Sequence, residues 1–309
     1  MKKVLPVISL ILVIFVGYLV VHKQQKDRVK IQDKVLISSF DKQTNNQKMP
    51  IFLRKLKIPQ PIIIDLSQQK YKGLAFLYGA NFQKSIHAKE WEKYGNLSTY
   101  TLDRYGNLYL IPMPFISIGK DTFNLQTNIY KVDSKSGYID IWMHFDDIKP
   151  NASNPYGLIS IDYDSDDGII FASAIDESTY QNQNGAIYVI DIKTKNIIQK
   201  IDGFDALSIK YLKDTDGKKY LLVGSARDNG LYVFGFENGK LAKEPIKILD
   251  IKNPTQHIRK IKIIAKNMLE LQTITFSYSL VSRSTGNKLD REYHVAILND
   301  GKWEVHKKQ

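Results

Sequence analysis

Residues 97–147, 155–203, 206–250 and 258–305 repeat one plan: strand, Asp- or Gly-bearing turn, strand, loop, strand, turn, strand. A four-strand unit recurring at this spacing confines the chain to an all-β array, and short strands joined by tight turns select the β-propeller. The copy at 155–203 is the clearest. Its runs GLISID (157–162), IIFASA (169–174), AIYVIDI (186–192) and NIIQKI (196–201) are rich in β-branched and aromatic residues. Turn formers bound each run, which favours strands over helices at this length.

The neighbouring copies align on it. The acidic turn DSDDG (164–168) recurs around Asp103, Gly106 and Asn107, and again around Asp214, Asp216 and Gly217. The aromatic third strand recurs from Ile129, Leu231 and Tyr293. A weaker copy precedes these, with PIIIDL (61–66) and GLAFLY (73–78) as its first two strands. Residues 85–94 are a third-strand region, or residues 85–93 the one helix candidate beyond residue 34. The runs 35–40 and 51–58 are left over. The reading is therefore all-β, a β-propeller of five or six four-stranded blades, occupying residues 35–309. Closure is expected by pairing a strand from one terminus with the blade from the other, which removes an exposed sheet edge.

The first residues are different material. Residues 4–21 (VLPVISLILVIFVGYLVV) carry no charge, and about 18 apolar residues just suffice to cross a bilayer core. The stretch is longer than a cleavable signal core, and residues 16–22 offer no small-residue cleavage site. A single N-terminal transmembrane signal-anchor (1–21) and a polar stalk (22–34) are expected. Orientation has two readings. Counting Lys23, Lys26, Arg28, Lys30 and Lys34 against Lys2 and Lys3 favours a cytoplasmic C-terminus. A short basic start before a first apolar segment is the export arrangement, and it sets our expectation of a periplasmic or cell-surface propeller.

No cysteine is present, which excludes disulfides, catalytic thiols, cysteine-ligated metals and a lipobox. The net charge of +12 is compatible with an anionic partner. Its lysines, however, scatter over turns and outer strands, with denser spots at residues 23–34, 54–57 and 259–262. No recognition helix or Arg-rich arm marks a nucleic-acid reader.

Candidates for chemistry are few. Asp162, Asp164, Asp166 and Asp167 before Gly168 suggest a calcium loop, but the glycine arrives one place late and Ser173 occupies the position of the closing glutamate. Recurrence of the turn at Asp214 makes it a blade turn instead. His22, His87, His144, His257, His294 and His306 show no metal-ligand spacing. His294, within a third strand, reads as a packed histidine. No nucleophile elbow, P-loop or dinucleotide fingerprint occurs. The loops leaving the second strands should share one face around a central channel. Tyr156, Asp176, Glu177, Arg227 and Asp228 are the candidate ligand face there, set against the alternative that Arg227 pairs with an aspartate to tie blades together.

The segment Asn154-Pro155-Tyr156-Gly157-Leu158, its acidic turn and the Ile187-Tyr188-Val189-Ile190-Asp191 strand resemble a blade of the NHL-repeat and gluconolactonase-like (regucalcin-like) propellers. The resemblance implies a propeller across residues 97–305. In the lactonase branch an asparagine between the Pro and Gly ligates a divalent metal. Tyr156 stands there in this chain, and the acidic Glu-Gly-Pro motif of the first blade is absent, so no metal or other cofactor is expected. Two function classes follow: a membrane-anchored, exported, non-catalytic scaffold for a protein, glycan or small ligand, and, as the alternative, a lactonase-like hydrolase using a divalent metal in the channel.

Overall fold

The computed structural model describes residues 37–42, 47–66, 70–114, 123–279 and 290–308. The expected anchor and stalk lie outside them. Among the described residues no helix is long and apolar enough to cross a membrane.

Five antiparallel sheets follow one another along the chain and form a five-bladed β-propeller. Blade 1 holds β1 (Ile62–Asp65), β2 (Ala75–Tyr78) and β3 (Lys84–Ile86). Blade 2 holds β4 (Leu97–Leu102), β5 (Leu108–Pro112), β6 (Asn128–Val132) and β7 (Ile139–His144). Blade 3 holds β8 (Leu158–Asp164), β9 (Ile169–Ala174), β10 (Ala186–Asp191) and β11 (Ile197–Asp202). Blade 4 holds β12 (Ala206–Lys213), β13 (Lys219–Ser225), β14 (Gly230–Glu237), the short β15 (Lys240–Leu241) and β16 (Ile246–Asp250). Blade 5 holds β17 (Gln256–Ala265), β18 (Met268–Thr275), β19 (Arg291–Asn299) and β20 (Lys302–Lys307). The first strand of each sheet is innermost.

The count is five rather than six, and four strands per blade is not uniform. Blade 1 has three described strands, because its third-strand region splits: after β3 the chain turns into a 3-10 helix, Lys89–Tyr94. Trp91 and Tyr94 of that helix are buried against blades 1 and 2. The leftover run at 51–58 begins as a short helix, α1 (Ile51–Lys55), whose Phe52 and Leu53 enter the same core.

The repeated turns are held by their aspartates. Asp103 Oδ1 accepts the N–H groups of Tyr105 and Asn107, both at 2.8 Å. Asp214 Oδ1 does the same for Asp216 (3.0 Å) and Lys218 (2.8 Å), and Asp164 Oδ1 accepts the Asp166 N–H (2.8 Å). An Asx side chain that satisfies its own turn is why this residue recurs there.

Blades stack through their faces, and the apolar clusters show where. One joins blades 1 and 2 through Ile64, Phe76, Leu108 and Leu110. Another joins blades 2 and 3 through Tyr109, Trp142, Ile161 and Tyr188. Phe171, Val189, Tyr211 and Leu221 join blades 3 and 4, and Leu222, Val233, Ile258 and Leu271 join blades 4 and 5. Among the described residues no such cluster joins blade 5 to blade 1. Alternation after a register shift at Arg259 explains it. In β17 and β18 the residues facing blade 4 are Ile258, Ile261, Leu269 and Leu271, whereas Lys260, Lys262, Glu270 and Gln272 occupy the opposite face.

Closure by a shared strand is also not what the described residues show. Residues 37–42 join no ladder. They run across the first-turn side: the Ser39 carbonyl accepts the Thr215 N–H (2.8 Å) and the Phe40 carbonyl accepts the Asn267 N–H (2.9 Å). Phe40 is fully buried and stacks on Trp303, with ring centroids 6.0 Å apart. Further on, the Lys48 N–H donates to the Asp103 carbonyl (3.3 Å) and the Phe52 N–H to the Ser134 carbonyl (2.8 Å). The N-terminal segment thus touches blades 4, 5 and 2 in turn.

Candidate functional site

An innermost strand presents one unpaired edge to the channel, so its N–H and C=O groups need other partners. Side chains on neighbouring inner strands supply several. Ser160 Oγ on β8 accepts the Ile209 N–H at 3.0 Å, and Asp162 Oδ2 accepts the Tyr211 N–H at 2.7 Å. Ser208 on β12 donates from Oγ to the Ile258 carbonyl at 2.7 Å. Asp162 takes two more donors, Thr101 Oγ1 at 3.3 Å and Lys210 Nζ at 2.9 Å. These stitches hold blades 2 to 5 around a cavity of about 780 Å³ lined by all five first strands.

The cavity is the central channel. Lys42 and Gln47 stand at the first-turn end, where Gln47 Nε2 donates to Thr101 Oγ1 at 3.1 Å. Met113, Pro114 and Phe276 stand at the opposite end. Its lining is unevenly charged: among the described residues that line it, Lys42, Lys210, Arg259, Lys260, Lys262 and Arg291 stand with Asp65 and Asp162.

The cations differ in how they are balanced. Lys210 is paired with Asp162. Lys262 meets Glu270 at 3.2 Å, and Lys308 reaches the same carboxylate at 3.0 Å. These two lysines, Lys308 first, hold Glu270 below the usual carboxylate range. Lys260 has neither a carboxylate nor a hydrogen-bond partner among the described residues. Burial, then Lys262, then Arg259, lowers its ammonium below the ordinary lysine value, and Glu270 only partly opposes this.

The loop residues expected to form the ligand face are spread over three arrangements. Arg227 Nη1 donates to the Thr179 carbonyl (2.7 Å) and contacts Asp205 Oδ2 (3.3 Å), while Nη2 donates to the Tyr180 carbonyl (2.8 Å). Asp205 is fully buried. It also accepts from Ser178 Oγ (2.6 Å), the Gly185 N–H (2.8 Å) and the Tyr278 hydroxyl (2.5 Å). Arg227 therefore ties blade 4 to the second-strand loop of blade 3. Asp228 is bound within blade 4: Tyr232 donates its hydroxyl to it at 2.6 Å and Lys247 lies at 3.0 Å. Burial opposes its charge, but Tyr232, the Gly230 N–H and Lys247 hold its carboxyl below the usual range.

Asp176 is buried and accepts the Lys149 N–H at 2.9 Å. Burial pushes its carboxyl up, with Glu177 and Asp147 adding to the effect. Glu177 is exposed in the left-handed region (φ 55°), and its carbonyl accepts from Asn184. Tyr156 packs against Phe276, with ring centroids 5.4 Å apart, and reaches the channel wall. Of the five, Tyr156 alone lines the channel.

The remaining aspartates of the acidic run are neutralised by lysines of blade 4. Lys219 contacts Asp164 and Asp167, each at 2.8 Å, and Lys213 contacts Asp166 at 2.7 Å. Among the described residues no group of three or more histidine or carboxylate side chains is arranged to hold a metal ion. His294 is buried, as its place in a third strand implied.

Sequence reasoning passed over Lys210, Lys260 and Arg291. The dense spot at residues 259–262 was visible but read as surface charge. Its position on the first strand of a repeat was the available signal, because first strands line the channel.

No family model matches the chain, and no curated protein matches it. Among solved structures it is similar to a hypothetical selenium-binding protein from Sulfolobus tokodaii, at 12% identity over 75% of this chain and 55% of that one (TM-score 0.44). It is similar to a xylan β-1,4-xylosidase from Bacillus halodurans, at 13% identity over 68% of this chain and 41% of that one (TM-score 0.40). A glucose dehydrogenase gives 12% identity over 69% of this chain and 74% of that one (TM-score 0.41). The chain thus spans well under two thirds of the first two. The class the sheets define is a five-bladed β-propeller with a cation-rich channel.

Proposed function

We propose that this chain is a non-catalytic binding scaffold, tethered to the membrane through residues 4–21 and exported, whose ligand site is the central channel. The carrying observation is the cavity of about 780 Å³ enclosed by the five first strands. Pockets of roughly 300 to 1,000 Å³ suit a small ligand or the end of a larger one. Fixed polar groups of neighbouring blades surround it, which preorganises the wall. On the opposite side of the balance, Arg227 and Asp228 are engaged in ties within and between blades. Kinship with the NHL-repeat and gluconolactonase-like propellers belongs to this reading and rests on the blade motif at residues 154–158.

A thermal-shift screen of small molecules on the full chain in detergent tests it, repeated on Thr99→Trp, which narrows the channel from β4. Compounds that stabilise the chain by mass action and lose their effect in the variant support the channel. Compounds equally effective on both place the site elsewhere. Protease protection on intact cells tests export: cleavage of the propeller only after lysis refutes it.

A further inference from the structure

We infer that the blade 5 wall of the channel, centred on Lys260, binds a small multiply charged anion carrying carboxylate or phosphate groups. The inference rests on the channel being the ligand site. Among the described lining residues six cationic side chains stand with two carboxylates. Asp162 already accepts from Tyr211, Thr101 and Lys210, and Lys262 is paired with Glu270, which leaves Lys260 as a cation with neither a carboxylate nor a hydrogen-bond partner among the described residues. Lys260 projects from the first strand of blade 5 between Arg259 and Lys262, with no carboxylate of its own among the described residues.

Like charges held together in a cavity are unfavourable without a counter-ion, and a low-dielectric wall strengthens their attraction for one. Lys260 is open to solvent at the cavity wall; desolvation there lowers its ammonium first, and the like charges of Lys262 and Arg259 add to the lowering. Gln272, which pairs with Lys260 across the β17–β18 ladder, adds an amide on the same face, and Arg291 adds a guanidinium at the far end of the wall. A guanidinium suits a bidentate oxyanion and an ammonium suits a point charge. The wall is absent between blades 2, 3 and 4, where the stacked faces are apolar. It exists because blade 5 turns a polar face away from blade 4.

Isothermal titration of the full chain in detergent with pyrophosphate, with citrate and with sucrose tests the inference. One of the two anions should bind at a single site, with affinity falling as salt rises, and sucrose should not. The stronger of the two anions identifies the head group. Lys260→Gln should weaken binding at least tenfold, Lys260→Arg should largely retain it, and Lys302→Gln, on the outer turn of blade 5, should leave it unchanged. At alkaline pH, binding should be accompanied by proton uptake, because the anion raises the Lys260 ammonium's affinity for its proton. Absence of binding by both anions overturns the inference, as does undiminished binding by a folded Lys260→Gln. Should neutral compounds lose their effect on Thr99→Trp while neither anion binds, the channel reading stands and the anion site falls.

Discussion

Arg227 of blade 4 and Asp205, in the connection leading into blade 4, lie 3.3 Å apart, and the carboxylate is wholly buried. Three further donors, from Ser178, Gly185 and Tyr278, converge on the same aspartate. One residue from the three-residue connection between β11 and β12 thereby joins blades 3, 4 and 5 at the second-strand face.

Removing that carboxylate should be costly. Asp205→Ala leaves a guanidinium, two hydroxyls and an N–H without their shared acceptor, for which a loss of about 3 to 5 kcal/mol is expected. Chemical denaturation measures it. A change under 1 kcal/mol would show that the four donors find other partners.

Gly157 follows Tyr156 at the start of blade 3, and a Cβ there would collide with the Gln126 carbonyl oxygen. Gly157→Ala must therefore push blade 3 from the loop of blade 2, at a cost of about 1 to 3 kcal/mol. An unchanged melting temperature would mean the loop simply yields.

Asp176 predicts the opposite sign. Its folded carboxyl titrates above the usual value because of burial, so stability is fully present below the unfolded carboxylate value near about pH 4 and declines as pH rises through the folded one. Asp176→Asn keeps an acceptor for the Lys149 N–H and removes the charge. Its melting temperature should exceed that of the parent at pH 7, with the gap closing at pH 3. A lower value at pH 7 would refute the burial argument.

His294 sets a second pH limb. Burial lowers its affinity for a proton, Glu292 at 3.3 Å resists that lowering, and Lys307 adds to it. The unfolded chain then binds the proton more readily, so the contribution is complete above about pH 6.5 and is lost as pH falls. Melting temperature against pH should show a decline below that point that flattens in His294→Phe. Parallel curves would assign the decline to other groups.

Phe40 offers an optical readout. Its ring is buried and stacked on Trp303. Phe40→Ala should cost about 3 to 5 kcal/mol and change Trp303 emission. Unchanged emission and stability would show that the N-terminal segment is not a working part of the fold.

The sequence was most legible where structure is local. Strands and Asp turns repeat because each unit solves the same short-range problem, so Asp103, Asp164 and Asp214 could be aligned without coordinates. Blade 1 was harder, since its outer part is a 3-10 helix that earns its place through Trp91 and Tyr94 packing on other elements. The site was least legible. Arg227 kept two readings, ligand contact or a tie to an aspartate, because its partner, Asp205, sits in a connection with no motif. Lys260 looked incidental because a surface lysine and a channel lysine have the same neighbours in sequence. Only the irregularity at Arg259, which puts Ile258 and Ile261 on one face and Lys260 on the other, separates them, and no motif announces it.

Among the described residues the apolar joints between blades form a series of four, with none between blades 5 and 1, which sets how the five sheets cohere. Cohesion through these cores therefore passes from neighbour to neighbour as in a linear array of repeats, while the backbone bonds of Ser39, Phe40 and Lys48 to blades 4, 5 and 2 reach across the remaining interval.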